Sequence, residues 1–233
     1  MAKWKLFAKN VLRAVGFPLH KLPVVRPPMQ DYWMLDPELR DIYTRIASNT
    51  VVDRERVMML RQFALNTAQI PGDAAEAGVY RGGTARLIAE TFRNSGKKIL
   101  LFDTFAGMPE VSATRDTHTA GDFGDTSLEQ VKSFLADLAD IEFYQGLFPE
   151  TAAPVSNRTF CFVHVDVDLY QSTLDCCQFF YPRLSRGGVI IFDDYGYLSC
   201  KGAKEAADAF FADKPETPIL LLTGQAFVIK RSG

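Results

Sequence analysis

The pattern of apolar and polar residues along the chain changes near residue 70. Between residues 37 and 68 apolar side chains recur at helical spacing, so we predict two helices there, the second with a cap near Thr50 or Asp53. Beyond residue 70, short apolar runs alternate regularly with helical stretches. This alternation predicts a parallel β-sheet with helices packed on its faces.

Five predicted strands and a closing antiparallel hairpin account for the second part of the chain. The strands are expected at 74–79, 99–103, 142–145, 160–165 and 188–192, and the hairpin at 219–222 and 226–229. Helices are expected at 84–94, 126–138, 172–184 and 201–212, and a capping box from Thr126 to Glu129 opens the second of them. We therefore predict an α/β fold with an N-terminal arm and helical lid over residues 1–68 and a ligand-binding domain over residues 69–233.

Composition narrows the class of protein. The chain has 233 residues, of which 47% are hydrophobic, and its 26 Lys and Arg nearly balance 28 Asp and Glu, so nucleic-acid binding through phosphate neutralisation is not expected. Four cysteines without CxxC spacing predict reduced thiols and no zinc site. No apolar run is long enough for a membrane span and no cleavage site follows the basic start, so we predict a cytoplasmic protein without integral membrane contact.

The start of the chain predicts a short basic amphipathic helix. Trp4, Leu6 and Phe7 alternate with lysines, and a proline cluster over residues 18–28 then predicts an extended arm. Such a helix either lies on a membrane surface or packs on its own domain or a second subunit, and we expect packing. Exchange of this helix and arm between subunits predicts a homodimer.

Polar residues at the carboxyl ends of the predicted strands are the main candidates for chemistry. Ligands of an open parallel sheet bind beyond these ends. Carboxylates recur there, at Glu76 in the first strand, Asp103 in the second, Asp166 and Asp168 after the fourth, and Asp193 and Asp194 after the fifth.

Asp166, Asp168, Asp193 and Asp194 predict a cation site. The fourth and fifth strands are expected to be neighbours, which brings three or four carboxylates within a few ångströms, and like charges at that range are costly unless a cation lies between them. Oxygen ligands alone select a hard divalent ion, Mg²⁺ first. The alternatives are that Asp168 caps the following helix and that Asp194 is solvated.

The segment from Glu76 to Gly83 contains three glycines but lacks the GxGxxG spacing of dinucleotide-binding turns. Glycines there still let a ligand approach the backbone, and we expect the first N–H groups of the next helix to be available to it. Asp103 is placed to accept hydrogen bonds from a ribose diol, or else is a solvated acid at a strand end. The loop 104–125 is long enough to predict a functional role.

Five ordered segments resemble a known enzyme family. They span residues 71–196 and read GDAAEAGVYRGGTARLIA, LLFDTFAGMPE, AGDFGDTSLEQV, FVHVDVDLYQST and GGVIIFDDYG. In these segments the chain resembles the macrocin and mycinamicin type of S-adenosylmethionine-dependent O-methyltransferases. The resemblance implies a class I methyltransferase fold with a Rossmann-like, mostly parallel seven-stranded sheet. It also implies S-adenosyl-L-methionine as methyl donor, a bound Mg²⁺ and a small-molecule hydroxyl acceptor, which we expect on a sugar of a natural product or glycan.

The resemblance implies roles for individual residues. The methionine end of the donor is expected at Glu76, Gly78, Tyr80, Gly82, Gly83 and Thr84, the ribose at Asp103, and the adenosine at Thr104, Phe105, Asp122, Phe123 and Ser127. The expected metal ligands are Asp166, which also borders the donor, Asp193 and Asp194. Asp168 is the expected general base, or else a residue that orients the residues of the site. His118 and His164 are rival bases, and the alternative for each is a core or loop residue whose hydrogen bonds are satisfied within the protein. Strand alternation lets only one of Asp166 and Asp168 face the ion, and the choice stays open.

Two other functions fit parts of this pattern. A catechol-type O-methyltransferase shares the donor and the metal and differs in its acceptor, a phenolic diol. A binding module with the methyltransferase fold and no turnover would bind the donor and lack the metal site, and the complete set of aspartates argues against it. Residues 1–68, where the acceptor is expected to bind, match the family only in type, so the acceptor itself is not predicted.

Overall fold

A computed structural model describes residues 36–231 of the chain. The predicted basic helix and proline-rich arm lie outside these residues. The described chain begins with two helices, α1 (Pro37–Ile46) and α2 (Arg54–Thr67). Asp53 caps α2 by accepting a hydrogen bond from the backbone N–H of Arg56, so the second of the two predicted caps is the one used.

The sheet and its connecting helices follow. In chain order they are β1 (Asp73–Ala77), α3 (Gly83–Thr91), β2 (Ile99–Asp103), α4 (Leu128–Phe134), β3 (Ile141–Gln145), β4 (Phe160–Val165), α5 (Tyr170–Arg183), β5 (Leu184–Phe192), α6 (Lys201–Phe211), β6 (Ile219–Leu220) and β7 (Ala226–Ile229). Two 3₁₀ turns, Glu150–Val155 and Leu198–Cys200, precede β4 and α6.

The seven strands form one sheet in the order β3-β2-β1-β4-β5-β7-β6. The first five pair in parallel, and β7 runs antiparallel to β5 and β6. This arrangement confirms the predicted mostly parallel sheet with a closing hairpin and a helical cover. The strand order reverses between β1 and β4, and ligands of such sheets bind in the crevice beyond this switch point.

Apolar side chains cover both faces of the sheet. On one face, the core between the sheet and α1, α2 and α3 includes Leu101 of the sheet with Ile46 and Leu60 of the helices. On the other face, the core between the sheet and α5 and α6 includes Leu100 of the sheet and Phe180 of α5. The neighbours Leu100 and Leu101 point to opposite faces, as strand geometry requires, so α1 and α2 share one core with the sheet.

A bulge in β4 determines which polar side chains meet. The register between β4 and β5 shifts between Phe160 and Phe162, after which His164 lies opposite Glu76 of β1 and Ile191 of β5. Glu76 and His164 therefore stand side by side at the centre of the sheet.

The predicted start of α4 is wrong by one residue. Ser127 is its cap, with a side-chain oxygen that accepts the backbone N–H of Gln130 at 3.3 Å. The hydroxyl of Thr126, which the capping-box pattern placed in that role, instead donates to the carbonyl oxygen of Tyr80 at 2.6 Å. Because the Thr126 hydroxyl bonds to a residue distant in sequence, Ser127 is the cap and the helix begins at Leu128.

The ends of α5 and β5 also differ from the prediction. Helix α5 begins at Tyr170 because the carboxylate of Asp116, in the loop 104–125, accepts the Tyr170 backbone N–H at 2.9 Å. Strand β5 extends back to Leu184, which pairs with Phe160 before the bulge. None of the helices in the described part of the chain combines the length and the apolarity that crossing a bilayer requires.

Candidate functional site

A cavity of about 290 Å³ opens at the carboxyl ends of β1, β2 and β4. Val51, Val52 and Arg56, at the start of α2, form one side, and part of the loop 104–125 forms another. The cavity lies at the switch point of the sheet, where the topology predicts a ligand.

Asp103 ties the end of β2 to the turn after β1. One of its carboxylate oxygens accepts the backbone N–H groups of Val79 at 2.6 Å and Tyr80 at 3.0 Å. The other accepts the N–H of Phe105 at 2.6 Å. A carboxylate has about four lone-pair positions, so Asp103 borders the cavity with acceptor capacity left for a ligand.

The glycines of the turn after β1 bring backbones close together. Gly78 has a positive φ, and a Cβ there would lie 1.8 Å from the carbonyl oxygen of Asp166. Gly83 opens α3 beneath Asn49, whose carbonyl oxygen accepts the Gly83 N–H at 3.0 Å. The Gly83 N–H, the first of the group that we expected to be available to a ligand, is therefore already bonded.

The loop 104–125 is fastened to the protein on both sides of the cavity. Arg81 forms an ion pair with Asp125, and Asp116 caps α5 at Tyr170. These contacts bring His118 to the cavity wall.

The carboxyl groups of Asp166, Asp168 and Asp194 meet at the cavity. Asp194 accepts the backbone N–H of Asp168 at 3.0 Å. Asp166 makes no side-chain hydrogen bond or ion pair with any residue between 36 and 231. Burial and repulsion between neighbouring carboxylates raise the pKa values of Asp166 and Asp194 well above their ordinary values. Ionisation of the cluster is therefore costly, because its surroundings compensate negative charge there only in part.

Asp193 is fully buried beside this cluster. It forms an ion pair with Arg56, accepts a hydrogen bond from Nε2 of Gln225 at 2.8 Å and lies 3.4 Å from Nε2 of His164. Burial alone raises the pKa of a carboxyl, but the hydrogen bond and charge of His164 and the charge of Arg56 lower that of Asp193. Protein groups therefore hold both oxygens of Asp193.

His164 links Asp193 to Glu76. Its Nδ1 lies 2.8 Å from Oε1 of Glu76, and all three side chains are without solvent exposure. Although burial opposes a charge on the imidazole, hydrogen bonds with Asp193 and Glu76 raise the pKa of His164 well above its ordinary value. The imidazole of His164 thus bridges the carboxyl groups of Asp193 and Glu76, and Glu76 contacts His164 instead of reaching the cavity.

Backbone strain concentrates around the cavity. Six non-glycine residues in the described chain have a positive φ, and four of them are Tyr80, Phe105, Phe123 and Asp168. Tyr80, Phe123 and Asp168 line the cavity, and Phe105 bonds to Asp103. Sparsely populated backbone conformations cluster at functional sites because the surrounding structure must hold them, which supports the assignment of this cavity as the site.

The structure separates the predicted site residues into two groups. Those that line the cavity are Gly78, Tyr80, Asp103, Thr104, His118, Phe123, Asp166, Asp168 and Asp194. Those outside its lining are Glu76, Gly82, Gly83, Thr84, Phe105, Asp122, Ser127 and Asp193. The functional roles of both groups stay predictions.

Sequence reasoning missed Arg56 and Gln225, the partners of Asp193. Arg56 lies 137 residues from Asp193 and Gln225 lies 32 residues away, so no local pattern connects them. The signal in the sequence was only indirect. A buried acid cluster requires positive charge, and because no lysine or arginine adjoins the aspartates in sequence, that charge had to come from a distant segment.

The donor set at the cavity fits a hard divalent cation. Asp166 and Asp194 present oxygen ligands, and a cation between them would offset the burial and mutual repulsion that raise their pKa values. Single ligand atoms of Asp166, Asp193 and His164 lie within 4.8 Å of one another, so Asp193 is near enough to share a cation with Asp166. In this structure the guanidinium of Arg56 supplies the positive charge at Asp193.

Comparison with known proteins identifies the family to which this chain is related. The family model for macrocin-O-methyltransferase (TylF) matches residues 39–221. Over 185 residues the chain is 31% identical to the 8-demethyl-8-(2,3-dimethoxy-alpha-L-rhamnosyl)-tetracenomycin-C 4'-O-methyltransferase of Streptomyces olivaceus, which covers 72% of this chain and 70% of that protein. It is also 31% identical over 150 residues to the mycinamicin III 3''-O-methyltransferase of Micromonospora griseorubida, covering 58% and 59% of the two chains.

A solved structure agrees with the sequence comparisons. The structure of the O-methyltransferase NovP matches with a TM-score of 0.69 and 28% identity, and the match covers 79% of this chain and 83% of that one. These findings confirm the resemblance seen in the five sequence segments and the class I methyltransferase fold that it implied. The family match also takes in α1 and α2, which the segments did not cover. The chain belongs to the macrocin-O-methyltransferase (TylF) family.

Proposed function

We propose that this protein transfers a methyl group from S-adenosyl-L-methionine to a hydroxyl of a small molecule, with Mg²⁺ bound at the aspartate cluster. The observation that carries the proposal is one cavity at the switch point that has Asp103 in its wall together with Asp166, Asp168 and Asp194. Family membership supports O-methyl transfer, and the chemistry of the cavity supports the donor and the metal.

The ends of β1 and β2 are proposed to hold the donor. Asp103 accepts a hydrogen bond from a ribose hydroxyl through the lone-pair position that its three backbone partners leave open. Tyr80 and Phe123, an edge-to-face pair with ring centres 5.5 Å apart, offer aromatic surface to the adenine. Gly78 lets the methionine end approach the backbone. Bound there, the donor would present its sulfonium methyl group for in-line displacement by the acceptor oxygen, with S-adenosylhomocysteine as the leaving group.

Asp166 and Asp194 are proposed to hold Mg²⁺. Asp193 would be a third ligand once the guanidinium of Arg56 moves away from its carboxylate. When bound, the metal would lower the pKa of the acceptor hydroxyl and fix the position of its oxygen. Asp168 accepts the hydroxyl proton, because burial raises its pKa and so favours the protonated product of that step. His118, with Nε2 3.5 Å from Oδ1 of Asp168, is the alternative base.

A sugar hydroxyl of a natural product is the proposed acceptor. The relative from Streptomyces olivaceus is named for 4'-O-methylation of a compound that carries a rhamnosyl group, and this name supports a glycoside. The cavity wall from Val51 to Arg56 and the loop 104–125 face each other across the space left for such an acceptor.

Calorimetric titration of the full chain with S-adenosylhomocysteine, with and without Mg²⁺, tests the donor and the metal separately. We expect Asp103→Asn to lose binding of S-adenosylhomocysteine and Asp166→Asn to keep it while losing Mg²⁺ binding. Absence of S-adenosylhomocysteine binding to the wild type overturns the proposal. Competition between deoxyhexose glycosides and catechols then tests the acceptor, and preference for a catechol overturns the acceptor assignment alone.

We further propose a cytoplasmic homodimer. The four cysteines, all unpaired and buried, support a reducing compartment, and the basic amphipathic start and proline-rich arm support exchange between subunits. Light scattering of the full chain and of a variant without residues 1–28 tests the dimer. A full chain that is already monomeric excludes it.

A further inference from the structure

Three side chains from separate segments meet at one edge of the cavity. They are His118 from the loop 104–125, Asp168 after β4 and Cys200 just before α6, and all three line the cavity. The Sγ atom of Cys200 lies 3.2 Å from Oδ1 of Asp168 and 3.6 Å from Nε2 of His118. That nitrogen lies 3.5 Å from the same Asp168 oxygen. We call these three residues the thiol triad.

We propose that the thiol triad binds Zn²⁺ at a site separate from the proposed Mg²⁺ site. Sulfur, imidazole nitrogen and carboxylate oxygen in one set are the ligands of zinc, whereas Mg²⁺ prefers oxygen ligands alone. The two sites differ in their ligands, since the thiol triad shares none with Asp166, Asp193 and Asp194.

The thiol triad already has the dimensions of a zinc site. Bond lengths of about 2.3 Å to sulfur and about 2.1 Å to nitrogen and oxygen, at tetrahedral angles, place ligand atoms about 3.4 to 3.6 Å apart. The three separations of 3.2, 3.5 and 3.6 Å are close to these values. Three protein ligands leave a fourth position for water, as in open zinc sites.

The residues around His118 orient it as a metal-binding histidine. Its Nδ1 lies 3.4 Å from Oδ2 of Asp122, which leaves Nε2 to face the thiol triad. The backbone N–H of Thr119 donates to that Asp122 oxygen at 2.9 Å and holds it in place. A carboxylate on the second imidazole nitrogen is the usual support of a histidine that binds a metal.

Two contacts fix the loop that delivers His118. The hydroxyl of Thr117 donates to the carbonyl oxygen of Ser199, the residue before Cys200. Asp116 binds the first N–H of α5 at Tyr170, two residues after Asp168. Residues next to His118 are thus bonded to residues next to Cys200 and Asp168. The three ligands are therefore positioned before a metal binds.

Long sequence separations explain why cysteine spacing predicted no zinc site. Cys200 lies 82 residues from His118 and 32 from Asp168, far outside the short spacings of recognisable zinc motifs. Zinc binding would also occupy Asp168, the proposed general base, and so inhibit methyl transfer. That inhibition rests on the proposed function, whereas the binding itself does not.

Cobalt substitution in the full chain tests the site, because thiolate-bound Co²⁺ shows a charge-transfer absorption in the near ultraviolet. We expect a saturable absorption that Zn²⁺ abolishes by displacement. Cys200→Ser keeps the other three cysteines and should lose this absorption. His118→Asn, in a loop, should weaken Zn²⁺ binding by more than about tenfold. Asp166→Asn is the matched control and should keep the absorption while losing Mg²⁺ binding.

Thermal unfolding without metal checks that each variant folds. If Cys200→Ser does not fold, the variant of the partly buried His118 tests the site instead. Absorption that persists in Cys200→Ser, or Zn²⁺ affinity unchanged in His118→Asn, overturns the proposal. So does a wild type that binds neither Co²⁺ nor Zn²⁺ saturably. Loss of the proposed methyltransferase function would appear separately, as failure to bind S-adenosylhomocysteine with the zinc site intact.

Discussion

The ion pair between Arg56 and Asp193 predicts a large loss of stability from one substitution. Arg56→Met keeps an unbranched apolar side chain and removes the guanidinium, which lies over the ring of Tyr197 with its carbon 5.1 Å from the ring centroid and faces a fully buried carboxylate. Removing one partner of a buried pair costs about 3 to 5 kcal/mol. Asp193 keeps its contacts with His164 and Gln225, so we expect the lower end, about 3 kcal/mol.

Urea unfolding of the full chain measures this loss. With a denaturant slope of about 2 kcal/mol per molar, the expected change lowers the midpoint by about 1.5 M. Lys98→Met is the matched control, because it removes a half-exposed pair with Asp140 and should cost at most about 1 kcal/mol. A midpoint shift for Arg56→Met no larger than that of Lys98→Met would refute the reasoning.

Three more substitutions test the site and its support. Gly78→Ala should destabilise the protein by more than about 3 kcal/mol, since its Cβ would clash with the Asp166 carbonyl at a positive φ; urea unfolding measures the loss. Tyr181→Phe removes a 2.6 Å hydrogen bond to buried Glu216 and should cost about 1.5 to 3 kcal/mol at neutral pH. Burial opposes the charge of Glu216, but the Tyr181 hydroxyl lowers its pKa, so the stabilisation is present above pH 4.5 and lost as pH falls below it; melting curves of both proteins should converge in acid. Asp168→Asn should lower kcat by about 10² to 10⁴-fold with S-adenosylhomocysteine binding retained, and equal turnover would exclude Asp168 as the base.

The positions of the strands along the chain were predictable because they depend on local periodicity. Apolar runs located all seven strands, and the rule that ligands bind at carboxyl ends brought Asp103 and Asp166 to one cavity. The Asp193-Asp194 pair shows where this reasoning stops. Neighbouring residues at a strand end point in different directions, and only the three-dimensional register decides that Asp194 lines the cavity while Asp193 contacts Arg56 and Gln225.

Partners that come from distant segments were beyond prediction. The contact of Glu76 with His164 depends on the β4 bulge, and a bulge leaves no clear mark in a run of buried apolar residues. The contact of Arg56 with Asp193 depends on how α2 packs on the sheet. The predicted cap of α4 was wrong for a similar reason, since the Thr126 hydroxyl bonds to Tyr80 in the turn after β1. Long-range contacts override local signals at each of these positions.

The start of α2 is attached to the sheet at two points, which matters for redesign of acceptor specificity. The carbonyl of Asn49 bonds to Gly83, where no Cβ fits, and Arg56 reaches Asp193. The partners of a segment 49–56 taken from a relative would therefore lie elsewhere in the chain, one for its backbone contact and one for its charge. A chimera with this segment and without matching residues at 83 and 193 would have a new cavity wall that no longer bonds to the sheet and to α3. Those positions form one unit of exchange for engineering, although they are far apart in sequence.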